Sequence, residues 1–113
     1  MPIDQWSDNI LILELSDEPT FSEEMDALLR RLDAGKFNGA DVIVNLKDVT
    51  YLNSSNIGAL LKLRNLLKRG NQRLRICTVQ NSVWSVLLTA GLDQVFEFTE
   101  DVSTSLASLQ LEA

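Results

Sequence analysis

The residues of this 113-residue chain best equipped for chemistry are gathered in one stretch, Asn53-Ser54-Ser55-Asn56. The chain has no histidine, which removes the commonest general base, the serine–histidine nucleophile pairs and most zinc and iron sites. It also has no glycine-rich dinucleotide fingerprint and no phosphate loop ending in Gly-Lys-Ser/Thr. The chain is therefore expected not to be an enzyme and to need no cofactor. Two hydroxyls between two amides can still do two things. They can cap a helix, because Ser and Asn side chains accept hydrogen bonds from the unpaired N–H groups of a first turn. They can also accept a phosphate, which the same N–H groups and the positive end of the helix dipole tolerate. One cap suffices for a helix start, so four polar side chains in a row exceed what the fold requires. Capping alone, by Asn53 or Ser54 with Ser55 merely solvated, remains the simpler reading.

The elements around this cluster alternate. Ile3 to Trp6 and the apolar run Ile10 to Leu15 read as a hairpin joined by Ser7-Asp8-Asn9. After Pro19, Thr20 and Glu23 have capping-box spacing, and Phe21, Met25, Leu28, Leu29 and Leu32 follow at helical intervals to Gly35. Val42, Ile43, Val44 and Leu46 form a second apolar run, the pattern of a strand in the centre of a parallel sheet. A helix from about Ser54 to Arg69 and a Gly70-Asn71 break come next, then a strand Leu74 to Val79 and a helix capped by Asn81 and ended by Gly91. A short strand Val95 to Phe98 and a helix capped by Asp101, with Val102, Leu106 and Leu109 on one face, complete the order ββαβαβαβα. Such an order predicts an α/β fold: a mostly parallel sheet with an antiparallel N-terminal hairpin and about four helices, joined by right-handed crossovers.

Length and a hydrophobic content of 45% suit one domain over residues 1–113 with a single core. No basic leader is present, and Ile10 to Leu13 is too short to span a bilayer, so a cytoplasmic protein with no membrane insertion is expected. Cys77 cannot form a disulfide within the chain and reads as a buried, inert thiol. Trp6 and Trp84 read as packing residues rather than stacking platforms. The net charge is −6 but unevenly spread. Val49 to Leu92 carries Lys62, Arg64, Lys68, Arg69, Arg73 and Arg75 and no acid, +6 against −12 for the remainder. This segment is either a solvated basic face or a docking surface for an acidic partner. With no interleaved aromatics and an acidic whole, direct nucleic-acid binding is not expected.

The strand ending Asp48-Val49-Thr50, then Leu52 and Asn53-Ser54-Ser55-Asn56-Ile57-Gly58-Ala59-Leu60-Leu61, resembles the STAS domain of the anti-sigma factor antagonist family, as does Val86-Leu87-Leu88-Thr89-Ala90-Gly91-Leu92. In that family the junction reads Asp-Ser-Ser-Gly-Leu-Gly, and its second serine is phosphorylated by a partner serine kinase that is also an anti-sigma factor. The resemblance places Ser55 on the phosphorylated serine, with Ser54 as the alternative, and Gly58 on the closing glycine. Asn53 stands where an acid is usual and Asn56 where glycine is usual. The implied function is a non-enzymatic regulatory module that switches partners on phosphorylation and so regulates transcription. The alternative is an unphosphorylated structural STAS subunit, either of a stress-signalling scaffold or of a lipid-transport ATPase. A weak homo-oligomer stays open.

On a helical wheel Ala59, Leu60, Leu63, Leu66 and Leu67 face the sheet. Gly58, Lys62, Asn65 and Arg69 share the opposite arc, with Ile57 and Leu61 at its margin. Together with Asn53, Ser54 and Asn56 these residues form the expected partner-binding surface; for Ile57 and Leu61, peripheral core is the competing reading.

Overall fold

The apolar runs become strands and the 3.6-period stretches become helices in a computed structural model that describes residues 3–112. In chain order the elements are β1 (Ile3–Ser7), β2 (Ile10–Ser16), α1 (Thr20–Asp33), β3 (Asp41–Asp48), α2 (Ser54–Arg69), β4 (Leu74–Cys77), α3 (Asn81–Thr89), β5 (Phe98–Thr99) and α4 (Val102–Leu111). The five strands lie in sequence order, β1 antiparallel to β2 and every later pair parallel. Each parallel strand is thus laid on the same side of its predecessor, so right-handed crossovers carry α1, α2 and α3 to one face of the sheet.

Side-chain alternation along the strands divides the interior in two. Leu11, Leu13, Val42, Val44 and Leu46 meet Phe21, Met25 and Leu28 of α1, Leu60, Leu63 and Leu67 of α2, and Val83 and Leu87 of α3. On the reverse face Ile10, Ile12, Ile43 and Cys77 meet Leu109 of α4, flanked by Val102 and Leu106. Both faces of β2 and β3 are covered along residues 10–13 and 42–44, and this is why these stretches read as unbroken apolar runs. Cys77 is fully buried, and burial pushes its thiol above the usual range, which keeps it inert. Trp84 packs edge-to-face on Phe98 at 5.0 Å, whereas Trp6 is 46% exposed on the edge strand instead of packing inward.

α4 is fixed at both ends. The Asp101 carboxylate accepts the Thr104 N–H at 2.7 Å, as its sequence position predicts, a cap of the kind worth about 1 kcal/mol. At the other end Arg73 donates to the Leu109 carbonyl at 2.9 Å while pairing with Asp41 at 2.8 Å. Arg75, itself buried, donates to the Ser108 hydroxyl at 3.1 Å and pairs with Glu112 at 3.4 Å.

Four local expectations differ from the structure. α1 is not capped by Thr20, which already lies in the helix; Pro19 holds the cap position, and the Glu18 carboxylate accepts the Ser22 N–H at 2.8 Å instead. α3 is not capped by Asn81 but preceded by an extended Gln80, whose amide donates to the Lys47 carbonyl at 2.7 Å. β4 ends at Cys77, two residues short, because Thr78 takes a left-handed φ of 57°, which a β-branched residue rarely adopts and which turns the chain out of the sheet. β5 begins only at Phe98, because Val95 is held in a turn by its N–H to the Leu92 carbonyl and Phe96 points into the core.

Candidate functional site

The C-terminal ends of β2, β3 and β4 emerge side by side, so the loops that follow them converge on one edge of the sheet. Asn53 leaves β3's connection with extended backbone (φ −97°, ψ 175°), and its side-chain oxygen accepts the Asn56 N–H at 2.8 Å. In return the Asn56 side-chain oxygen accepts the Asn53 N–H at 3.1 Å. This reciprocal capping box starts α2 at Ser54. Ser54 and Ser55 occupy the first turn and are both exposed. The capping is done by the amides on either side of them, so neither serine is needed for it.

Asn56 is placed differently from expectation. It is 2% exposed, so it offers no surface to a partner. Its Nδ2 donates to Glu18 Oε2 at 3.1 Å, across 38 residues of sequence. The same carboxylate oxygen accepts the Ser22 hydroxyl at 2.5 Å. Glu18's neighbour Asp17 makes a parallel link, accepting the Thr50 N–H at 2.8 Å and the Thr50 hydroxyl at 2.6 Å. The Thr50 carbonyl in turn accepts the Ser82 hydroxyl of α3 at 2.6 Å. Two loops and the first turn of α3 are thereby tied together around the start of α2. Both carboxyls are held below their ordinary values, Asp17 chiefly by the Thr50 hydroxyl and Glu18 chiefly by the Ser22 hydroxyl, with Asn56 adding to the latter. Asp17, Glu18 and Thr50 are not singled out by composition or spacing. The signal that points to them is topological: in a parallel sheet, the residues just after adjacent strands share an edge.

Of the remaining expected surface residues, Gly58, Lys62, Asn65 and Arg69 are exposed along α2. A Cβ built on Gly58 would meet nothing within 4 Å. Ile57 and Leu61 are half-buried and pack on the main core, the competing reading for both. The acid-free segment is not one basic face. Arg73 and Arg75 are turned to α4, and Arg64 donates to the Val95 carbonyl at 3.0 Å. Lys62 lines a shallow groove of about 150 Å³ with Asp26, Arg30 and Asp33 of α1. A run free of acids in sequence is thus interleaved with acids in space.

A family model for the STAS domain matches residues 2–105. The chain belongs to the STAS-domain family. Among curated proteins none matches it. Solved structures that are similar include a putative anti-sigma factor antagonist from Thermotoga maritima, 14% identical with TM-score 0.81, covering 96% of this chain and 93% of that one. The Bacillus cell fate determinant SpoIIAA in its phosphorylated form is 12% identical with TM-score 0.71 over 95% of this chain and 96% of its own. A sulfate transporter family protein from Wolinella succinogenes is 18% identical with TM-score 0.77 over 90% of this chain and 85% of that one. At these identities the likeness establishes the STAS fold and its five-stranded mixed sheet. Among the described residues of this STAS domain no helix is long and apolar enough to cross a membrane.

Proposed function

We propose that this STAS domain is a non-catalytic cytoplasmic binding module of the anti-sigma factor antagonist kind, which engages an ATP-dependent serine kinase at the start of α2 and takes a phosphate on Ser55. The observation that carries this reading is the division of labour at the junction. Asn53 and Asn56 cap the helix, while Ser55 stays exposed beside unpaired first-turn N–H groups. Adding phosphate there breaks no hydrogen bond of the cap. The likeness in fold to SpoIIAA in its phosphorylated form supports the same reading. A second reading, an unphosphorylated subunit of a stress-signalling scaffold or lipid-transport ATPase, is favoured by one observation: Asn53, adjoining the two serines, carries no charge.

Gly58 adds independent support for a surface read from outside. Glycine inside a helix costs roughly 0.5–1 kcal/mol relative to alanine, and here no internal contact requires it. Gly58→Ala is therefore expected to raise folding stability by up to ~1 kcal/mol while weakening partner binding. Denaturant melts and titration calorimetry check the pair of effects, and unchanged affinity would remove Gly58 from the surface.

The phosphoacceptor itself is tested by incubating the protein with ATP and the serine kinases of the anti-sigma factor kind from its own genome, each in turn, then locating phosphate by mass spectrometry. One phosphate on Ser55 is expected, lost in Ser55→Ala and kept in Ser54→Ala. Phosphate confined to Ser54, or none, replaces this reading with the structural-subunit one.

A further inference from the structure

We infer that Glu18 is a positioning residue for Ser55, acting through Asn56. The inference rests on Ser55 being the phosphoacceptor. It begins with the demand made on position 56, whose side chain is enclosed and faces two groups at once. On one side is the Asn53 N–H, which needs an acceptor; on the other is the Glu18 carboxylate, which needs a donor. A carboxamide satisfies both, and only in one orientation.

Glu18 selects that orientation. With the Nδ2 group held on Oε2, the Asn56 oxygen is left facing the Asn53 N–H, and the capping box closes around Ser54 and Ser55. The carboxylate is itself anchored, because Ser22 donates to it with both its N–H and its hydroxyl. The neutral Asn53 cannot act on Ser55 by charge. A carboxylate nonetheless reaches this helix end, delivered from the turn between β2 and α1. A nucleophile misplaced by about 1 Å can lose on the order of 10²-fold in rate, so a looser first turn should register in phosphate transfer before it registers in binding.

The test reverses the polarity of the bond. Glu18→Gln sets two NH₂-bearing amides against each other or strips Ser22 of an acceptor, and Asn56→Asp sets two carboxylates against each other. The double variant, Glu18→Gln with Asn56→Asp, restores a matched pair with the same net charge as the parent. In it the introduced glutamine amide donates to the introduced carboxylate, which still accepts the Asn53 N–H. Two quantities are read in all four proteins: exchange of the Asn53 amide proton by NMR, and kcat and KM for phosphate transfer from ATP to Ser55 by the kinase that phosphorylates the parent. Each single variant is expected to speed Asn53 exchange about tenfold and lower kcat about tenfold with KM nearly unchanged, and the double variant to recover both.

A parent phosphorylated on Ser55 together with single variants that turn over at the parental rate would overturn the positioning role and leave the proposed function standing. Recovery of exchange without recovery of kcat would overturn it equally. A parent that takes no phosphate on Ser55 defeats the proposed function, and the positioning role with it. If a single variant does not fold, the double decides: folded with parental kcat it supports the inference, folded with depressed kcat it refutes it.

Discussion

Truncating Leu63 to alanine should lower folding stability by about 3 kcal/mol, while Lys62→Glu combined with Arg69→Glu, on the same helix, should change it by less than ~1 kcal/mol. Leu63 has no exposed surface and lies in the layer shared by α1, α2 and the sheet, whereas Lys62 and Arg69 look outward. Removing the leucine side chain forfeits its transfer free energy and leaves a cavity that rigid neighbours on β3 and α1 fill only in part. For a domain of this size the loss corresponds to a fall of roughly 10–15 °C in melting temperature. The charge reversal is read in binding instead: affinity for the partner should fall, and fall further at low salt. Denaturant titrations with matched binding curves test both statements. A Leu63→Ala loss below ~1 kcal/mol would show that α2 is not packed as described. Salt-independent, unchanged affinity would reduce the Lys62 and Arg69 strip to a solvated face whose field is already balanced by Asp26 and Asp33.

The second large effect concerns binding alone. A phosphate on Ser55 brings about −1.5 to −2 charges to the start of α2, an interaction with first-turn N–H groups worth a few tenths to ~1 kcal/mol in favour of the helix. The Glu18 carboxylate, already bonded to Asn56 in that turn, offsets part of this gain. The melting temperature should therefore move by only a few degrees. Across a closely fitted interface the same group adds bulk and charge for which no partner donor is arranged. Burying it unpaired should cost ~3 kcal/mol or more, a fall in affinity of at least about 100-fold. Melting and affinity of purified phosphorylated and unmodified protein, measured side by side, decide the matter. Phosphorylated protein that melts far lower yet binds normally would show that modification acts on the fold.

The contrast between α2 and the loops shows what the sequence can and cannot reveal. α2 was legible to its end residues, because its apolar spacing, its polar start and its Gly70 exit agree with one another. The sheet order followed from alternation and handedness. Asn56 was not legible, since an amide at the third helical position reads the same whether it faces solvent or a carboxylate 38 residues away. The acid-free segment misled for the same reason. Charge along a chain does not report that Arg73 will meet Asp41 or that Arg75 will meet Glu112. The short extent of β4 was hidden in Thr78, whose left-handed backbone no propensity for a β-branched residue would suggest.

The two faces of the sheet become covered at different times. The layer of α1, α2 and α3 is assembled from segments that alternate with their strands, so each helix reaches its place soon after the strand before it has left the ribosome. The reverse face has no such schedule. Ile10 and Ile12 lie on β2, yet the helix that covers them, Val102–Leu111, is the last of the described elements to emerge. Until that helix is added the domain carries a bare aliphatic strip on one side, and a released chain that ends before residue 102 keeps the segments of its site edge while remaining prone to stick to its neighbours.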